Sequence, residues 1–188
     1  MPPGRVQTGG ATIRTSTPLR HTSLKKILPA LFFALFFTLT AADEMPSAAP
    51  LFAASLHDLD KQPLALTTYR GKPLIVNFWA RWCAPCRAEI PELVAIRKAN
   101  RGKIEVLGIG IEDNNEAVRD FARSNGMNYP VFVAKDKGIP LMLALGNDKG
   151  GLPFTVAIDA HGRMVYKKLG LMKKADLEAA AELLLKTH

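Results

Sequence analysis

Residues 76–93 read VNFWARWCAPCRAEIPEL, a stretch whose pattern predicts the centre of the fold. It continues an apolar, partly β-branched run at 74–79, which is typical of a central strand buried on both faces. After Pro85, apolar residues recur at helical spacing, so the sequence predicts a helix that begins at about this position. Cys83 and Cys86, the two cysteines of the chain, therefore lie where a strand ends and a helix begins.

The position of this Cys-x-x-Cys pair predicts redox chemistry. The first N–H groups of a helix lack main-chain partners and the macrodipole is positive there, so we expect the pKa of Cys83 to fall below that of free cysteine. Cys83 is then the attacking sulfur. Cys86, one turn further into the helix and more buried, resolves the mixed disulfide. Pro85 pre-sets the first helical turn between them.

Other uses of the two cysteines are weaker interpretations. A purely structural disulfide that closes so tight a loop stabilises a protein little. A zinc site needs two more ligands, and His57, His161 and His188 are dispersed along the chain without ligand spacing. We therefore expect neither a metal nor another cofactor.

Periodicity and turn residues place the remaining elements in an α/β domain. Pro91 lies inside the helix that follows the cysteines, and it is expected to kink or interrupt that helix. Strands are predicted at 51–56 and 64–66, as a hairpin, and at 74–79, 104–111, 154–158 and 164–169, with a short extended piece at 129–133. Further helices are predicted at 116–125, 139–145 and 175–186. Strand–helix–strand crossovers and a late hairpin together predict a mixed central sheet flanked by helices on both sides.

The N-terminal segment indicates export. Residues 27–42 read ILPALFFALFFTLTAA, an uncharged run that follows Lys25 and Lys26 and ends in small residues. This pattern is typical of a secretory signal peptide with cleavage after Ala42. An uncleaved membrane anchor through the same run is the main alternative, and a buried core helix is a weaker one, because the run has no polar face.

Composition divides the chain into three parts. Residues 1–42 are an extension with the signal peptide or anchor, 43–50 (DEMPSAAP) are a linker, and 51–188 form the domain. Residues 1–23 show no periodicity, which suggests the hypothesis that translation starts at Leu24. Because the positive side of a signal stays in the cytoplasm, we expect the domain to lie in the periplasm, where disulfides persist.

The charge distribution argues against a nucleic-acid partner. The chain has 25 basic and 17 acidic residues, a formal net charge of +8. Five of the basic residues and none of the acidic ones lie in 1–42, so 20 basic and 17 acidic residues remain beyond it, a net charge of +3. The remaining basic residues form no run interleaved with aromatic residues, so we expect no nucleic-acid binding.

Three stretches together resemble the thioredoxin superfamily. The stretch 76–93 closely resembles the active-site segment of that superfamily, and its Arg-Ala-Glu-Ile-Pro continuation is similar to the TlpA/ResA-like branch. The stretch 58–73 resembles the N-terminal hairpin and lead-in of this branch, and 151–155 (GLPFT) resembles the loop that carries the cis-proline of the family. The resemblance, over 51–186, implies a thioredoxin-like fold with an N-terminal β-hairpin and a central insertion at about 113–133.

The resemblance also implies roles for residues around the cysteines. Trp82 would pack beside the sulfurs and shape the docking surface. Pro153 would be cis and would face Cys83. It would leave the main chain of Leu152 free to pair with an extended segment of the substrate. The sequence alone predicts less, since only a small fraction of X–Pro bonds are cis.

Two positions depart from common patterns in the superfamily. Many thioredoxins carry a buried aspartate where this chain has Asn77, which cannot take up a proton. Glu89 resembles an acid of the branch that tunes the thiol pKa, and it is our candidate for a carboxylate that assists Cys86; a solvated helix glutamate is the alternative. Phe154 stands after the cis-proline position, where a subgroup that serves cytochrome c maturation often has an acid, which argues against a dedicated haem-pathway role.

These observations predict an exported thiol–disulfide oxidoreductase. We expect it to reduce disulfides in exported partner proteins through the Cys-Ala-Pro-Cys couple and, by resemblance, to be recharged by a membrane electron donor. A disulfide donor with the same chemistry run in reverse is one alternative. A binding module that delivers copper or handles the thiols of a partner is another. A peroxidase is less in keeping with the sequence, because the approach to Cys83 carries no threonine.

Overall fold

The computed structural model describes residues 45–113 and 115–186. The strands in this part of the chain form one mixed sheet of seven. They are β1 (Ser55–Asp58), β2 (Pro63–Ala65), β3 (Leu74–Trp79), β4 (Glu105–Gly110), β5 (Val131–Val133), β6 (Phe154–Ile158) and β7 (Met164–Leu169). Their spatial order is β2-β1-β5-β4-β3-β6-β7. The predicted signal or anchor at 27–42 and the proposed start at Leu24 lie outside the described residues.

The helices of the described residues cover the two faces of this sheet. They are α1 (Ala49–Ala53), α2 (Ala84–Ala99), α3 (Asn115–Ser124), α4 (Gly138–Ala144) and α5 (Lys174–Lys186), with 3-10 turns at Leu66–Tyr69 and Lys135–Lys137. Within the described ranges, no helix is long and apolar enough to cross a membrane.

The pairing of the strands agrees with the predicted mixed sheet. Strands β3, β4 and β5 are parallel and are joined by α2 and α3. Strand β6 pairs antiparallel with β3, and β7 pairs antiparallel with β6. The hairpin β1–β2 pairs antiparallel with β5. Phe78, near the end of β3, pairs with Phe154 at the start of β6, which pairs with Leu169 at the end of β7. The end of β3 and the start of β6 therefore meet at one edge of the sheet.

Strand β3 is buried on both faces, as its apolar run predicts. Leu74, Val76 and Phe78 contact one core, which α1 and α4 complete. Ile75 and Trp79 contact a second core, which α2, α3 and α5 complete. Because side chains alternate along a strand, Asn77 lies on the same face as Ile75 and Trp79, among apolar residues.

Helix α2 begins as predicted but is not interrupted. Cys83 is its N-cap and Pro85 lies in its first turn, where a missing N–H costs nothing. Of the two expected effects of Pro91, a kink or an interruption, the interruption does not occur, because the helix continues to Ala99. Pro91 and Arg87 are both exposed, so the carbonyl that the proline leaves without a main-chain donor lies on the solvent side of the helix.

The strand predicted at 51–56 is wrong in its first part, where the structure has helix α1. Leu51 and Phe52 are 0% and 2% exposed and both contact the same core. Neighbours in a strand point to opposite faces, whereas a helical turn can bury both on one side. Pro50 favours this turn because proline fits the first turn of a helix.

Part of the predicted linker also packs on the domain. Ala48 is fully buried, and Met45 packs against the same core as α1. The rest of the linker that the structure describes leads directly into α1, while 43–44 lie outside the described residues. Met45 to Pro50 are therefore part of the folded unit rather than a spacer.

The other predicted elements agree with the structure within one or two residues at most ends. Strands 154–158 and 164–169 are confirmed at both ends. The last helix, α5, buries Leu177, Ala180, Ala181 and Leu184 against the sheet. The segment 113–133, predicted as an insertion, contains α3 and the short strand β5.

Candidate active site

The two cysteines lie at the N-terminus of α2, at the edge where β3 ends. Cys83 and Cys86 form a disulfide. The main-chain N–H of Cys86 donates a hydrogen bond of 3.2 Å to the Cys83 Sγ. Cys83 is 6% exposed, whereas Cys86 is fully buried. The helix N-terminus therefore stabilises negative charge on Cys83, which is the sulfur nearer to the solvent.

The loop between β3 and α2 is held in place by an acid from the neighbouring strand end. The carboxylate of Glu112, which follows β4, accepts hydrogen bonds from the main-chain N–H and from the Nε of Arg81, both of 3.0 Å. The N–H of Cys83 donates to the Ala80 carbonyl at 3.1 Å. These contacts fix the main chain on both sides of Trp82.

Trp82 is the most exposed large apolar residue of the described chain, with 67% of its surface accessible. Pro85, two residues after Cys83, is also exposed. The surface beside the disulfide thus presents an indole ring and a proline ring to solvent. Aromatic residues of this kind are enriched in protein–protein contacts.

The loop before β6 approaches the same edge of the sheet. The Leu152–Pro153 peptide bond is cis, as the resemblance implies. Pro153 is buried and Leu152 is half-buried. Asn147 holds the loop by donating from Nδ2 to the Gly151 carbonyl at 2.8 Å, and the Gly170 N–H donates to the Pro153 carbonyl at 2.8 Å. Among the hydrogen bonds of the described residues, none uses the main chain of Leu152.

Glu89 is a buried acid one turn after Cys86 on α2. It is fully buried, so it is not a solvated helix glutamate. Burial raises its pKa to about 7, although hydrogen bonds from the Met172 N–H and from Asn77, and the charge of Lys168, act in the opposite direction. Its Oε2 accepts from the Met172 N–H at 2.8 Å. Cys86 and Glu89 are three residues apart and both buried, so they share the inner face of the helix.

Asn77 connects Glu89 to the strand that follows the cis-proline. Its Nδ2 donates to Glu89 Oε1 at 2.6 Å and to Thr155 Oγ1 at 2.9 Å. Asn77 and Thr155 are directly paired across β3 and β6. Both are almost completely buried. The amide oxygen Oδ1 of Asn77 has no hydrogen-bond partner within the described part of the chain.

The sequence motifs do not predict this polar network. They single out Asn77 only as a residue that cannot take up a proton, and they do not indicate Thr155 or the main-chain N–H of Met172. The signal that could have indicated a buried hydrogen-bonding role for Asn77 is its place as a polar residue inside an otherwise apolar strand run. The described residues hold no group of three or more His, Cys, Asp or Glu side chains that could bind a metal.

Comparison with known proteins assigns the chain to a family. A family model described as Redoxin matches residues 40–184, which is most of the chain. The chain belongs to the redoxin family. This redoxin is 34% identical over 170 residues to the thiol-disulfide oxidoreductase ResA of Geobacillus thermodenitrificans, a match that covers 87% of this chain and 93% of the relative. It is 27% identical over 161 residues to ResA of Bacillus subtilis, which covers 84% and 87% of the two chains.

A solved structure supports the same assignment. A thiol:disulfide interchange protein of the thioredoxin family from Chlorobium tepidum TLS superposes on this redoxin with a TM-score of 0.65 and 28% sequence identity. The match covers 78% of this chain and 99% of that one. This redoxin therefore has the thioredoxin-like fold, is a ResA/TlpA-like member of the thioredoxin superfamily, and is a thiol-disulfide oxidoreductase.

Proposed function

We propose that this redoxin is exported to the periplasm and reduces disulfides in partner proteins there, with Cys83 and Cys86 of the Cys-Ala-Pro-Cys motif as the redox-active couple. One observation carries the proposal. The disulfide lies at a helix N-terminus, and Cys83 retains 6% exposure whereas Cys86 is fully buried. This asymmetry gives the two sulfurs different tasks, because a protein substrate can reach only the first of them.

The reaction begins at Cys83 in the reduced enzyme. Its thiolate, stabilised by the helix N-terminus and by the N–H of Cys86, attacks one sulfur of the substrate disulfide. A bond forms between Cys83 and that sulfur, and the bond within the substrate breaks. The other substrate sulfur leaves as a thiolate and takes up a proton.

Cys86 completes the reaction. Its thiol loses a proton, and the resulting thiolate attacks Cys83 Sγ. The Cys83–Cys86 disulfide forms, the bond from Cys83 to the substrate breaks, and the second substrate thiolate leaves. Two electrons have then passed from the enzyme dithiol to the substrate disulfide. Glu89, buried on the same helix face with a pKa of about 7, is suited to accept the proton of Cys86 at neutral pH.

The surface around Cys83 is suited to an extended protein segment. The main chain of Leu152 is free of the hydrogen bonds that the described residues make, so its polar groups can pair with the backbone of a substrate. Trp82, the residue before Cys83, offers an exposed aromatic surface. In this arrangement Leu152 and Pro153 position the substrate, and Trp82 contributes contact area.

The direction of electron flow and the compartment rest on the sequence. The run 27–42 has the character of a secretory signal or a membrane anchor. A reductase in an oxidising compartment must be recharged after each cycle, so we propose a membrane electron donor that reduces the Cys83–Cys86 disulfide. A disulfide donor would use the same residues in the opposite direction.

Two measurements test the proposal. The first is the reduction potential of the Cys83–Cys86 couple against glutathione or dithiothreitol. A value of about −270 to −220 mV supports a reductase, whereas a value near about −120 mV overturns that direction and supports a disulfide donor.

The second measurement is trapping in cells with Cys86→Ser, with Cys83→Ser as the matched control. We expect Cys86→Ser to accumulate disulfide-linked partners that disappear on treatment with a thiol reductant, and Cys83→Ser to accumulate none. Equal trapping by both variants, or by neither, contradicts the assignment of Cys83 as the attacking sulfur. If both variants still support the function of the protein in cells, the chain acts as a binding module.

A further inference from the structure

Asn77 and Glu89 form a buried pair in which the hydrogen bonds that Glu89 needs depend on its protonation state. Glu89 as a carboxylate is well satisfied, because Asn77 Nδ2 donates to one of its oxygens at 2.6 Å and the Met172 N–H donates to the other at 2.8 Å. Glu89 as a carboxylic acid carries an additional O–H group. Within this fully buried site that group requires an acceptor, since an unsatisfied buried donor costs substantial free energy.

An acceptor is present in the same amide. Asn77 Oδ1 has no hydrogen-bond partner among the residues that the structure describes. It is bonded to the same carbon as Nδ2, so rotation of the amide about the Cβ–Cγ bond brings it to the position where Nδ2 now contacts Glu89. The two ends of an asparagine amide occupy nearly equivalent positions, and the hydrogen-bond network determines which one faces a given neighbour.

We propose that Asn77 is a positioning residue that hydrogen-bonds Glu89 in both of its protonation states, by donating from Nδ2 to the carboxylate and by accepting at Oδ1 from the carboxylic acid. The inference rests on the proposed function, in which Glu89 receives the Cys86 proton. When that proton arrives, the amide rotates, and it rotates back when Glu89 releases the proton. No electron transfer or covalent bond is involved in this step.

Thr155 fits both orientations of the amide. Its hydroxyl accepts from Asn77 Nδ2 at 2.9 Å in the structure, and a hydroxyl can equally donate to an oxygen in the same place. In the structure Oδ1 is the amide atom without a partner, and after rotation Nδ2 takes its place. Because Thr155 can pair with either end of the amide, the orientation responds to the protonation of Glu89.

Few other charges face Glu89. Lys168 on β7 is the charged side chain that favours its ionised form, and Lys168 is itself paired with Asp176 of α5 at 2.6 Å. Tyr129, before β5, is buried and uncharged, and Glu89 acts to raise its pKa further. From its own helix, Cys86 is the titratable neighbour. Asn77 is thus the neutral group placed to respond to the proton on Glu89.

The direct test is an NMR titration of the full chain from pH 5 to 9, in the oxidised and the reduced forms. It follows the carboxyl carbon of Glu89 and the side-chain NH₂ of Asn77. We expect both signals to titrate with one midpoint, and the cross-relaxation between the Asn77 NH₂ and the Glu89 Cγ protons to be lost below it. An NH₂ group that keeps the same neighbours through the Glu89 midpoint overturns the proposal.

Stability measurements on Asn77→Ala give an independent test. An amide that serves both states predicts the same loss of unfolding free energy at pH 5 and pH 9, with little movement of the Glu89 midpoint. A loss confined to pH 9, with a raised midpoint, shows that Asn77 is a donor only and overturns the proposal. No loss at either pH also overturns it. Asn125→Ala, an exposed asparagine at the end of α3, is the matched control.

These readouts are separate from the test of the proposed function. Both are made on the resting protein, without substrate or electron donor. If electrons flow in the opposite direction, these two readouts do not change. If the Asn77 amide does not rotate, the reduction potential and the trapping experiment do not change. Thr155→Ser, which keeps the hydroxyl, should retain the coupled titration, whereas Thr155→Val should weaken it.

Discussion

Asn77 on β3 donates a hydrogen bond of 2.6 Å to the carboxylate of Glu89 on α2, and neither residue is accessible to solvent beyond 1%. The bond joins the central strand of the sheet to the helix that carries the redox-active cysteines. Thr155, two residues after the cis-proline, is the other acceptor of the same nitrogen. The two segments that form the active-site edge are thus coupled through a single buried amide.

The first prediction concerns Glu89→Gln and the pH dependence of stability. The pKa of Glu89 is about 7 in the folded protein and 4.5 when unperturbed, so the folded state holds the proton more tightly. The resulting stabilisation is fully present below pH 4.5 and is lost as the pH rises through 7. Glu89→Gln has no carboxyl group to ionise at this position, so its stability does not fall in this way as the pH rises. We expect its unfolding free energy, relative to the parent, to increase by about 3 kcal/mol from pH 4.5 to 8.

Urea unfolding of the oxidised protein at several pH values between 4.5 and 8 checks this prediction. Like the protonated acid, glutamine can accept from the Met172 N–H and donate to Asn77 Oδ1, so the variant is expected to have about the stability of the parent at the acidic end. Glu92→Gln, on the same helix but partly exposed, is the control and should show no such trend. A difference between Glu89→Gln and the parent that stays constant with pH would argue that Glu89 titrates normally.

A second prediction separates docking from folding at Trp82. Because 67% of Trp82 is exposed, Trp82→Ala should change the unfolding free energy by only about 0.5 kcal/mol or less. If the indole contributes contact area to a protein substrate, the rate of reduction of a protein disulfide such as that of insulin should fall by about tenfold. The rate with a small disulfide reagent should change much less. Equal slowing with both substrates would show that the indole acts on the sulfurs rather than on docking.

A third prediction concerns the contact between Arg81 and Glu112. Glu112→Ala removes the acceptor of two hydrogen bonds that fix the loop before Cys83, and it should lower the unfolding free energy by about 1–2 kcal/mol. Glu112→Gln keeps an oxygen for the Arg81 N–H and should lose less. Denaturant unfolding of the oxidised protein measures both values. Equal losses for the two variants would mean that the ionic contact with the guanidinium, and not the main-chain bond, stabilises the loop.

Local signals in the sequence were sufficient to predict the place of the disulfide. The apolar run before Trp79 and the proline after Cys83 mark a strand end and a helix start, and both depend on neighbours within one or two turns. Helix α1 was missed because a short apolar run is compatible with a strand as well as a helix. Its state is decided by the burial of Leu51 and Phe52 in a core formed by distant segments.

The polar network around Glu89 could not be predicted in the same way. Asn77 and Thr155 are 78 positions apart, and Glu89 and Met172 are 83 apart. Their contacts depend on the register of β3 against β6 and on the packing of α2 against α5. A slip of one residue in that register would turn Thr155 to the other face of the sheet. The sequence contains the residues of the network, but only the assembled sheet brings them together.

The last prediction concerns Asp159, which closes the turn between β6 and β7 and so holds the strand that follows Pro153. Its buried carboxylate accepts from the N–H groups of His161 and Arg163 at 3.0 and 2.9 Å, and from the Arg163 guanidinium at 2.7 Å. Burial alone would raise the pKa of Asp159, but these hydrogen bonds and the guanidinium hold it below its usual value of 3.8.

Because the folded pKa of Asp159 is depressed, its stabilisation is present above pH 3.8 and is lost as the pH falls through the lower folded value. Asp159→Asn should therefore cost about 1–3 kcal/mol of unfolding free energy at pH 7, and the difference from the parent should shrink in acid. Urea unfolding at pH 7, 5, 4 and 3 measures this, with the exposed Asp148→Asn as control. A cost that stays the same from pH 7 to pH 3 would show that the shape of the turn, rather than the charge of Asp159, holds the hairpin.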